Sequence, residues 1–557
     1  MSTTMATISS IPAETLSEIF LYHVAVNTID PLRRGWSYKW AQLRLVCHAW
    51  NEVLNYAMFW KNVPVTSPRA MELVLAHSVQ TDLYMRGLVT SAVEQADRRK
   101  LALMLGSAGR IKELDLWVSE EVIRAFNAPT LEIKRLALKK VPGSNVAPGQ
   151  DPSTLLIRFQ SPALKTLTLE NFIWKEIKPM FNDVIEDLTL DELRGIRLQE
   201  FITTMQGMKN LRRLDTNRDN WSALQYALPG GIEELSIRGQ RRIDGDSFLE
   251  ALDTLPNLVR LNLESGLTPP FDDPPTHTLA GLESISCMVG RSEDVKCLTF
   301  IAAPTLRHIQ LQSSGMCHET DEDHRRTLRL VQPLLDQVVR NCPPRTAQFR
   351  SSPQYLCIAF TKEPTALVQP DEGIHLKLSM EFRHGMLNFM TTFFKDILER
   401  IENVYISDGD YCEKTNLKAW HKVFRVMHNV RSLHLERKGA KVMPEGLHHY
   451  EEDGICHTVF PKLEALFLDD VQFCPQRRKN QGARFSTAKT KKRSFIADLK
   501  RSFKLRDAAQ NENNLTQEDR TLFQLVISNA TRLYPSDVEA LKKLGVEVVW
   551  DSITRRK

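Results

Sequence analysis

Residues 161–169 read Ser-Pro-Ala-Leu-Lys-Thr-Leu-Thr-Leu, and residues 303–311 read Ala-Pro-Thr-Leu-Arg-His-Ile-Gln-Leu. Both hold one phrase: an apolar residue, two variable ones, a second apolar residue, one variable, a third apolar. Successive side chains of an extended strand point to opposite faces, so the last two apolar residues share a face and the first sits on the incoming turn. The phrase recurs at Ile111-Leu114-Leu116, Ile133-Leu136-Leu138, Leu164-Leu167-Leu169, Ile185-Leu188-Leu190, Ile232-Leu235-Ile237 and Leu258-Leu261-Leu263. It continues at Leu282-Ile285-Cys287, Leu306-Ile309-Leu311, Ile401-Val404-Ile406, Val430-Leu433-Leu435 and Leu463-Leu466-Leu468.

Between 111 and 306 the starts are mostly 21–31 residues apart. Helical patterns fill the gaps. Phe248, Leu249, Ala251, Leu252 and Leu255 share one face, as do Leu417, Trp420, Val423, Phe424 and Met427. A strand, turn and helix of this size cannot bury its apolar side alone, so stacked copies are expected. The array resembles leucine-rich repeats, which carry L-x-x-L-x-L on a short strand every 20–29 residues or so. That resemblance implies an α/β fold with a curved parallel sheet. The consensus Asn or Cys is missing: its positions hold Ser119, Val141, Phe172, Leu193, Gln240, Gly266, Ser314, Lys438 and Val471, so the repeats are degenerate. Residues 312–400 show no clean phrase, although 356–360 and 374–380 could be strands. At the C-terminal end, Ser536 and Glu539 have capping-box spacing, Val538, Leu541 and Leu544 form a helical face, Gly545 is a stop, and Val546, Val548 and Val549 read as a last strand.

Upstream of the repeats, Pro12 and Glu14 suit the first turn of a helix. Leu16, Ile19, Phe20 and His23 follow at helical spacing. After an Asp-Pro and Gly break within 27–39, Leu43, Val46, Cys47 and Trp50 make a second stripe, continued by Val53, Leu54 and Ala57 and closed by Trp60. The order Ile11-Pro12-x-Glu14-x-Leu16-x-x-Ile19-Phe20, Leu43-x-Leu45-Val46-Cys47-x-x-Trp50 and Phe59-Trp60 resembles the F-box, a three-helix unit, in its fungal type. It covers about 50 residues; Ile11 replaces the usual Leu and the 27–39 connector is long. The resemblance implies docking to a Skp adaptor, itself bound to a cullin scaffold, through Ile11, Pro12, Leu16, Ile19, Phe20, Leu43, Val46, Cys47, Trp50 and Trp60. A unit this small carries more apolar side chains than three short helices can hide, so a covering partner is expected.

Composition narrows the classes. The chain has 557 residues, 42% hydrophobic and 25% charged, with a net charge of +5. Nine scattered cysteines without a CxxC pair point away from a disulfide framework and towards a reducing compartment. The first residues lack a basic and apolar leader, and no apolar run is long enough to span a bilayer, so a cytoplasmic or nuclear protein without membrane contact is expected. Residues 476–506 hold twelve Lys or Arg and one acid, a local +11 that leaves −6 elsewhere. Such a segment reads as a disordered, solvated insertion. Two functional readings stand beside that: a bipartite nuclear-import signal of Arg477, Arg478, Lys479 and Lys491, Lys492, Arg493, or salt-dependent attachment to an acidic partner or nucleic acid. Cys317, His318 and His324, Cys456 and His457, and His448 and His449 lack zinc-site spacing, so no metal is expected. Neither a nucleotide-binding, hydrolase or zinc-protease motif nor a RING pattern occurs, so the chain is expected to be non-enzymatic and without cofactors.

The expected organisation is an F-box at 1–66, a helical linker and repeat cap at 67–110, degenerate repeats at 111–475, a basic disordered insertion at 476–515 and a closing cap at 516–557. The expected function is substrate recognition in an SCF-type (Skp-cullin-F-box) ubiquitin ligase, the repeats binding an unknown target protein. An F-box scaffold without ubiquitin transfer and a nuclear or nucleic-acid-associated repeat protein are the alternatives; nucleic acid is not the expected partner of the leading reading.

Overall fold

A computed structural model describes residues 11–27, 39–127, 132–142, 151–239, 242–271, 274–313, 321–351, 355–362, 374–381, 386–408, 417–437, 447, 450–452, 455–457, 459–471, 473, 495–512, 523–530 and 533–551. The chain forms two compact units, Met1–Gly239 with Glu250–Leu258, and Gln240–Leu249 with Val259–Lys557.

In the first unit, helices Ala13–Asn27 and His48–Leu54 and the tighter turns Lys39–Leu45 and Ala57–Trp60 precede eight strands. These are β1 (Asn62–Val65), β2 (Leu83–Val89), β3 (Ile111–Val118), β4 (Arg135–Lys140), β5 (Thr166–Glu170), β6 (Asp187–Asp191), β7 (Arg213–Asn217) and β8 (Glu234–Arg238). Each pairs in parallel with the next. The register aligns Leu114, Leu136, Leu167, Leu188, Leu214 and Leu235 in one buried row, and Leu116, Leu138, Leu169, Leu190, Thr216 and Ile237 in a second. Alternation therefore sets the core, since a slip of one residue would turn every Leu outward.

Two details refine the expected organisation. Residues 67–110, read as a helical linker and repeat cap, hold helices Pro68–His77 and Gln95–Gly106 and the strand β2, which pairs with both β1 and β3. Gly87 in β2 has φ +154°, and a Cβ there would lie 2.5 Å from the Val65 carbonyl oxygen, so the close approach of β1 needs glycine. The repeat Leu211-Leu214-Thr216 escaped the phrase because a hydroxyl residue takes its third position; Thr216 is nonetheless fully buried.

The second unit contains β9 (Arg260–Leu263), β10 (His277–Thr278), β11 (Ser284–Val289), β12 (Ile301–Ala302), β13 (His308–Ser313), β14 (Thr346–Ser351), β15 (Tyr355–Thr361) and β16 (Ile374–Glu381). It continues with β17 (Asn403–Asp408), β18 (Ser432–Arg437), β19 (Tyr450–Glu452), β20 (Ile455–His457), β21 (Ala465–Asp469), β22 (Gln524–Ser528) and β23 (Glu547–Trp550). β10 pairs with β12, and β19 with β20. The main ladder runs β9-β11-β13-β16-β15-β14-β17-β18-β21-β22-β23.

The stretch without a phrase is the inversion in this order. The chain leaves β13 through helix Asp321–Asn341, and β15 runs antiparallel to both β14 and β16. β16 then takes the place beside β13, with Leu376 and Leu378 opposite Ile309 and Leu311. Both suggested strands there exist, as β15 and β16. The helical faces around 248 and 420 form helices Gly245–Leu252 and Leu417–Val426, with Phe248, Leu252, Trp420 and Phe424 buried.

The turn after several strands also replaces the missing Asn. Asn171, Glu192, Arg437, Asp470 and Asn529 adopt φ between +49° and +65°, the left-handed region. Phe172, Leu193, Val471 and Ala530 follow as buried plugs. A left-handed non-glycine residue costs about 1 kcal/mol or more, which burial of an apolar plug can offset.

Residues 476–494 of the basic segment lie outside the described residues. Phe495–Glu512 is a helix with Ile496, Leu499 and Phe503 buried, so the expectation of disorder to 515 does not hold over that range. The composition count missed a 3-to-4-residue apolar spacing within the charged run. At the C-terminal end, helix Pro535–Lys542 is capped two residues earlier than expected: Asp537 accepts from the Tyr534 N–H at 3.4 Å, and Ser536 lies inside the helix. Gly545, at φ +76°, is the stop.

Candidate functional site

The N-terminal helices sort the predicted docking residues by face. Leu16 and Phe20 turn inward, 4% and 2% exposed, and the Phe20 ring packs edge-on against Trp50 at 4.9 Å. Trp60 is buried; its Nε1–H donates to the Leu54 carbonyl at 2.8 Å and its ring stacks on His77 at 4.4 Å. Burial, and then the nearby Arg44 guanidinium, hold the His77 imidazole below its usual pKa. Ile11, Leu43 and Trp50 are half-buried. Several apolar side chains stand open to water among exposed polar ones such as Glu14, Glu18 and His48: Ile19 is 51% exposed, Val46 56% and Leu45 87%, with Tyr22, Tyr56 and Met58 also exposed.

The second stripe is not one helix, as its spacing suggested. The chain breaks at Val46–Cys47, and Cys47 becomes the extended N-cap of His48–Leu54, φ −160°. Cys47 is therefore exposed rather than set in an apolar face. The break turns Leu45 and Val46 out beside Cys47, as a continuous helix would not.

A second candidate surface is the outward side of the strands, occupied by the variable residues of the phrase. In the first unit it is a mosaic of charges. Arg86 Nε lies 2.7 Å from Asp115, Lys139 Nζ 3.1 Å from Glu170, Arg213 Nε 3.4 Å from Glu234 and Arg238 Nε 2.8 Å from Asp215. Lys139 also sits over the Trp117 ring at 5.2 Å. Burial pushes the Asp187 and Asp215 carboxyls above their usual range, against the pull of Arg213 and Arg238 respectively. A cavity of about 250 Å³ opens on this side, lined by Asn62, Tyr84, Arg86, Glu113, Asp115 and Arg135 among others, and its cations and carboxylates are already mixed.

In the second unit the outward row changes character. Tyr405, His434 and Phe467 occupy matched positions on β17, β18 and β21. Tyr405 stacks on His434 at 4.1 Å and 20°, and His434 on Phe467 at 3.9 Å and 2°. Val526 and Val549 continue the row on β22 and β23. Burial pushes the Tyr405 phenol up to about 12 and the His434 imidazole down to about 4. Sequence reading passed over these residues because they fall where the phrase allows anything. The available signal was an aromatic ring or imidazole in that slot in three successive repeats.

Arg477, Arg478, Lys479, Lys491, Lys492 and Arg493 lie outside the described residues, as do Cys317, His318, His448 and His449. Among the described residues no group of three His, Cys, Asp or Glu is gathered to hold a metal ion. Among them, too, no helix is long and apolar enough to cross a membrane.

The phrase, the parallel ladder and the helices between strands define the class: an α/β protein of leucine-rich-repeat-like units. No family model and no curated protein matches the chain. Among solved structures it aligns with the leucine-rich repeat-containing protein LegL7 from Legionella pneumophila, at 10% identity and a TM-score of 0.27, over 58% of this chain and 89% of that one. So distant a likeness adds nothing to the description, which rests on the ladder itself.

Proposed function

We propose that the protein is a non-enzymatic substrate receptor of an SCF-type ubiquitin ligase, its N-terminal helices an F-box that docks a Skp adaptor and its repeats a surface for a target protein. The carrying observation is the exposure of large apolar side chains in the first sixty residues, with Ile19, Leu45 and Val46 open to water in a unit whose Leu16, Phe20 and Trp60 are already committed inward. Exposed apolar side chains gathered on a small unit are what a partner would cover. The motif order Ile11-Pro12, Val46-Cys47-x-x-Trp50 and Phe59-Trp60 supports the same reading. Holding a target near a charged conjugating enzyme raises its effective concentration, so the receptor needs no acid, base or nucleophile of its own.

The inward and outward faces select the test. Ile19→Asp with Val46→Asp alters exposed positions and leaves the buried ones alone. Co-purification with a Skp-type adaptor should be lost while thermal unfolding stays near wild type. Retained co-purification would reject the assignment. If the adaptor binds but a candidate target's half-life does not respond to the same pair, the chain is a scaffold on the adaptor and not a receptor for degradation.

A further inference from the structure

The outward positions of β17, β18, β21, β22 and β23 hold Asn403, Tyr405 and Ser407; Ser432, His434 and Glu436; Ala465, Phe467 and Asp469; Gln524, Val526 and Ser528; Glu547 and Val549. The middle row is apolar from Tyr405 to Val549, and Val549 is 46% exposed. Every formal charge in this set is a carboxylate, although the chain as a whole carries +5. We propose that the row is a docking surface for a segment of a partner protein in which an apolar side chain is flanked by Lys or Arg.

The rim selects that occupant. Glu436, Asp469 and, just past β23, Asp551 stand along one side of the row. Among the described residues at that rim, Arg437 is shared between Glu436 at 3.1 Å and Asp470 at 3.7 Å. Two carboxylates are fixed in place: Asp469 accepts from Ser528 Oγ at 2.7 Å and Asn529 Nδ2 at 2.9 Å, and Asp551 accepts from the Asn529 N–H at 2.8 Å. Acceptors held this way lose little freedom when a cation arrives. The opposite side, Asn403, Ser432, Ala465 and Gln524, is neutral until β23, where Glu547 adds another carboxylate. An acidic segment would meet like charge there; a basic one would meet complementary charge.

The rings specify the anchor. Both faces of His434 are covered, by Tyr405 and Phe467, so a ligand meets ring edges and the Val526 and Val549 methyls beyond them. Ring edges carry the positive end of the quadrupole and do not attract a cation as a face does. The Lys or Arg therefore belongs at the carboxylate rim, and an apolar side chain belongs on the row. This surface is independent of adaptor docking.

The experiment uses the full chain and a short fluorescein-labelled peptide alternating Lys with Phe, followed by fluorescence anisotropy. The Lys/Phe peptide should bind, more weakly as salt rises, and the charge-reversed Glu/Phe peptide should not. Phe467→Ser should weaken binding by about tenfold or more, the effect of losing a central anchor. Glu436→Lys with Glu547→Lys, which leaves the stacked rings untouched, should do the same and keeps the test open if Phe467→Ser does not fold. Asp215→Asn, in the mosaic of β1–β8, should change nothing. Equal binding by all variants, or preference for the Glu/Phe peptide, overturns the proposal. So does a dimer of the free chain that Phe467→Ser dissolves, which would make a second copy the occupant.

Discussion

The ladder of β1–β8 and the ladder of β17, β18 and β21–β23 are built on the same inward rows and differ in what they turn outward. In the first, positive and negative side chains alternate and satisfy one another: Arg238 reaches both Asp215 and Asp191, and Arg213 both Glu234 and Asp187. In the second, rings and methyls stack on each other and the remaining charge is of one sign. A surface whose charges are already paired offers a partner little that water does not, because exposed ion pairs are each worth about 0–1 kcal/mol. An apolar row bordered by carboxylates keeps apolar area available and favours a partner that carries positive charge. The inward Leu positions decide that the chain folds as stacked units, and the variable positions between them decide what each unit can hold.

The sharpest way to separate the two regions is to attack what each keeps inside. Near the end of β4, Lys140 Nζ lies 2.7 Å from Glu176 and 3.1 Å from Glu120, and Arg124 also bonds Glu120. All three of Lys140, Glu120 and Glu176 are buried. Burial alone would raise the Glu120 carboxyl; the hydrogen bonds from Arg124 and Lys140 overcome it and hold the group below its usual range. Lys140→Met leaves two buried carboxylates with one cation, and should cost about 3–5 kcal/mol in a urea titration. Leu466→Ala, on the inward side of β21, opens a cavity and should cost about 2–5 kcal/mol by the same measurement. If Lys140→Met is neutral, the charged region is held by its leucines alone and the contrast is confined to the surface.

Outward substitutions should divide less steeply. Phe467→Ala removes one ring of a stacked row and should cost about 0.5–1.5 kcal/mol. Arg238→Ala, in the mosaic, should stay within about 1 kcal/mol. The measurement is the shift in urea midpoint at constant slope; a larger loss for Arg238→Ala would reverse the ranking of the two faces.

How much of this was legible follows from which residues each rule can see. The last two apolar residues of all eleven quoted phrases lie on strands, because Leu at alternate positions of a stacked unit has one place to go. Thr216 hid one repeat, since the rule asked for an apolar residue and the ladder accepted a buried hydroxyl. The order β13-β16-β15-β14-β17 was not legible at all: pairing across the inversion is decided by contacts far apart in the chain, and Ala347 and Phe349 carry no mark of facing Val404 and Ile406. At the N-terminal end the periodicity of 43–60 hid a helix break, which placed Cys47 on the wrong side. The aromatic row went unseen for the opposite reason: its signal lay in the slots that the repeat rule treats as free.

A pH profile tests the dryness of the row directly. His434 is stacked between Tyr405 and Phe467, with Glu436 two residues along its own strand and Asp469 on the neighbouring one. Burial holds its imidazole near 4, below the ordinary 6.5. Between those values the unfolded chain binds a proton that the folded chain does not, so stability rises with pH across this window. The contribution is complete above about 6.5 and is lost as pH falls towards 4. His434→Phe keeps the stack and removes the proton, so the slope of stability against pH between 4 and 6.5 should flatten relative to wild type. If the two slopes coincide, water or a carboxylate reaches the imidazole. The row is then wetter than its stacking implies, and its difference from the charged face of β1–β8 shrinks accordingly.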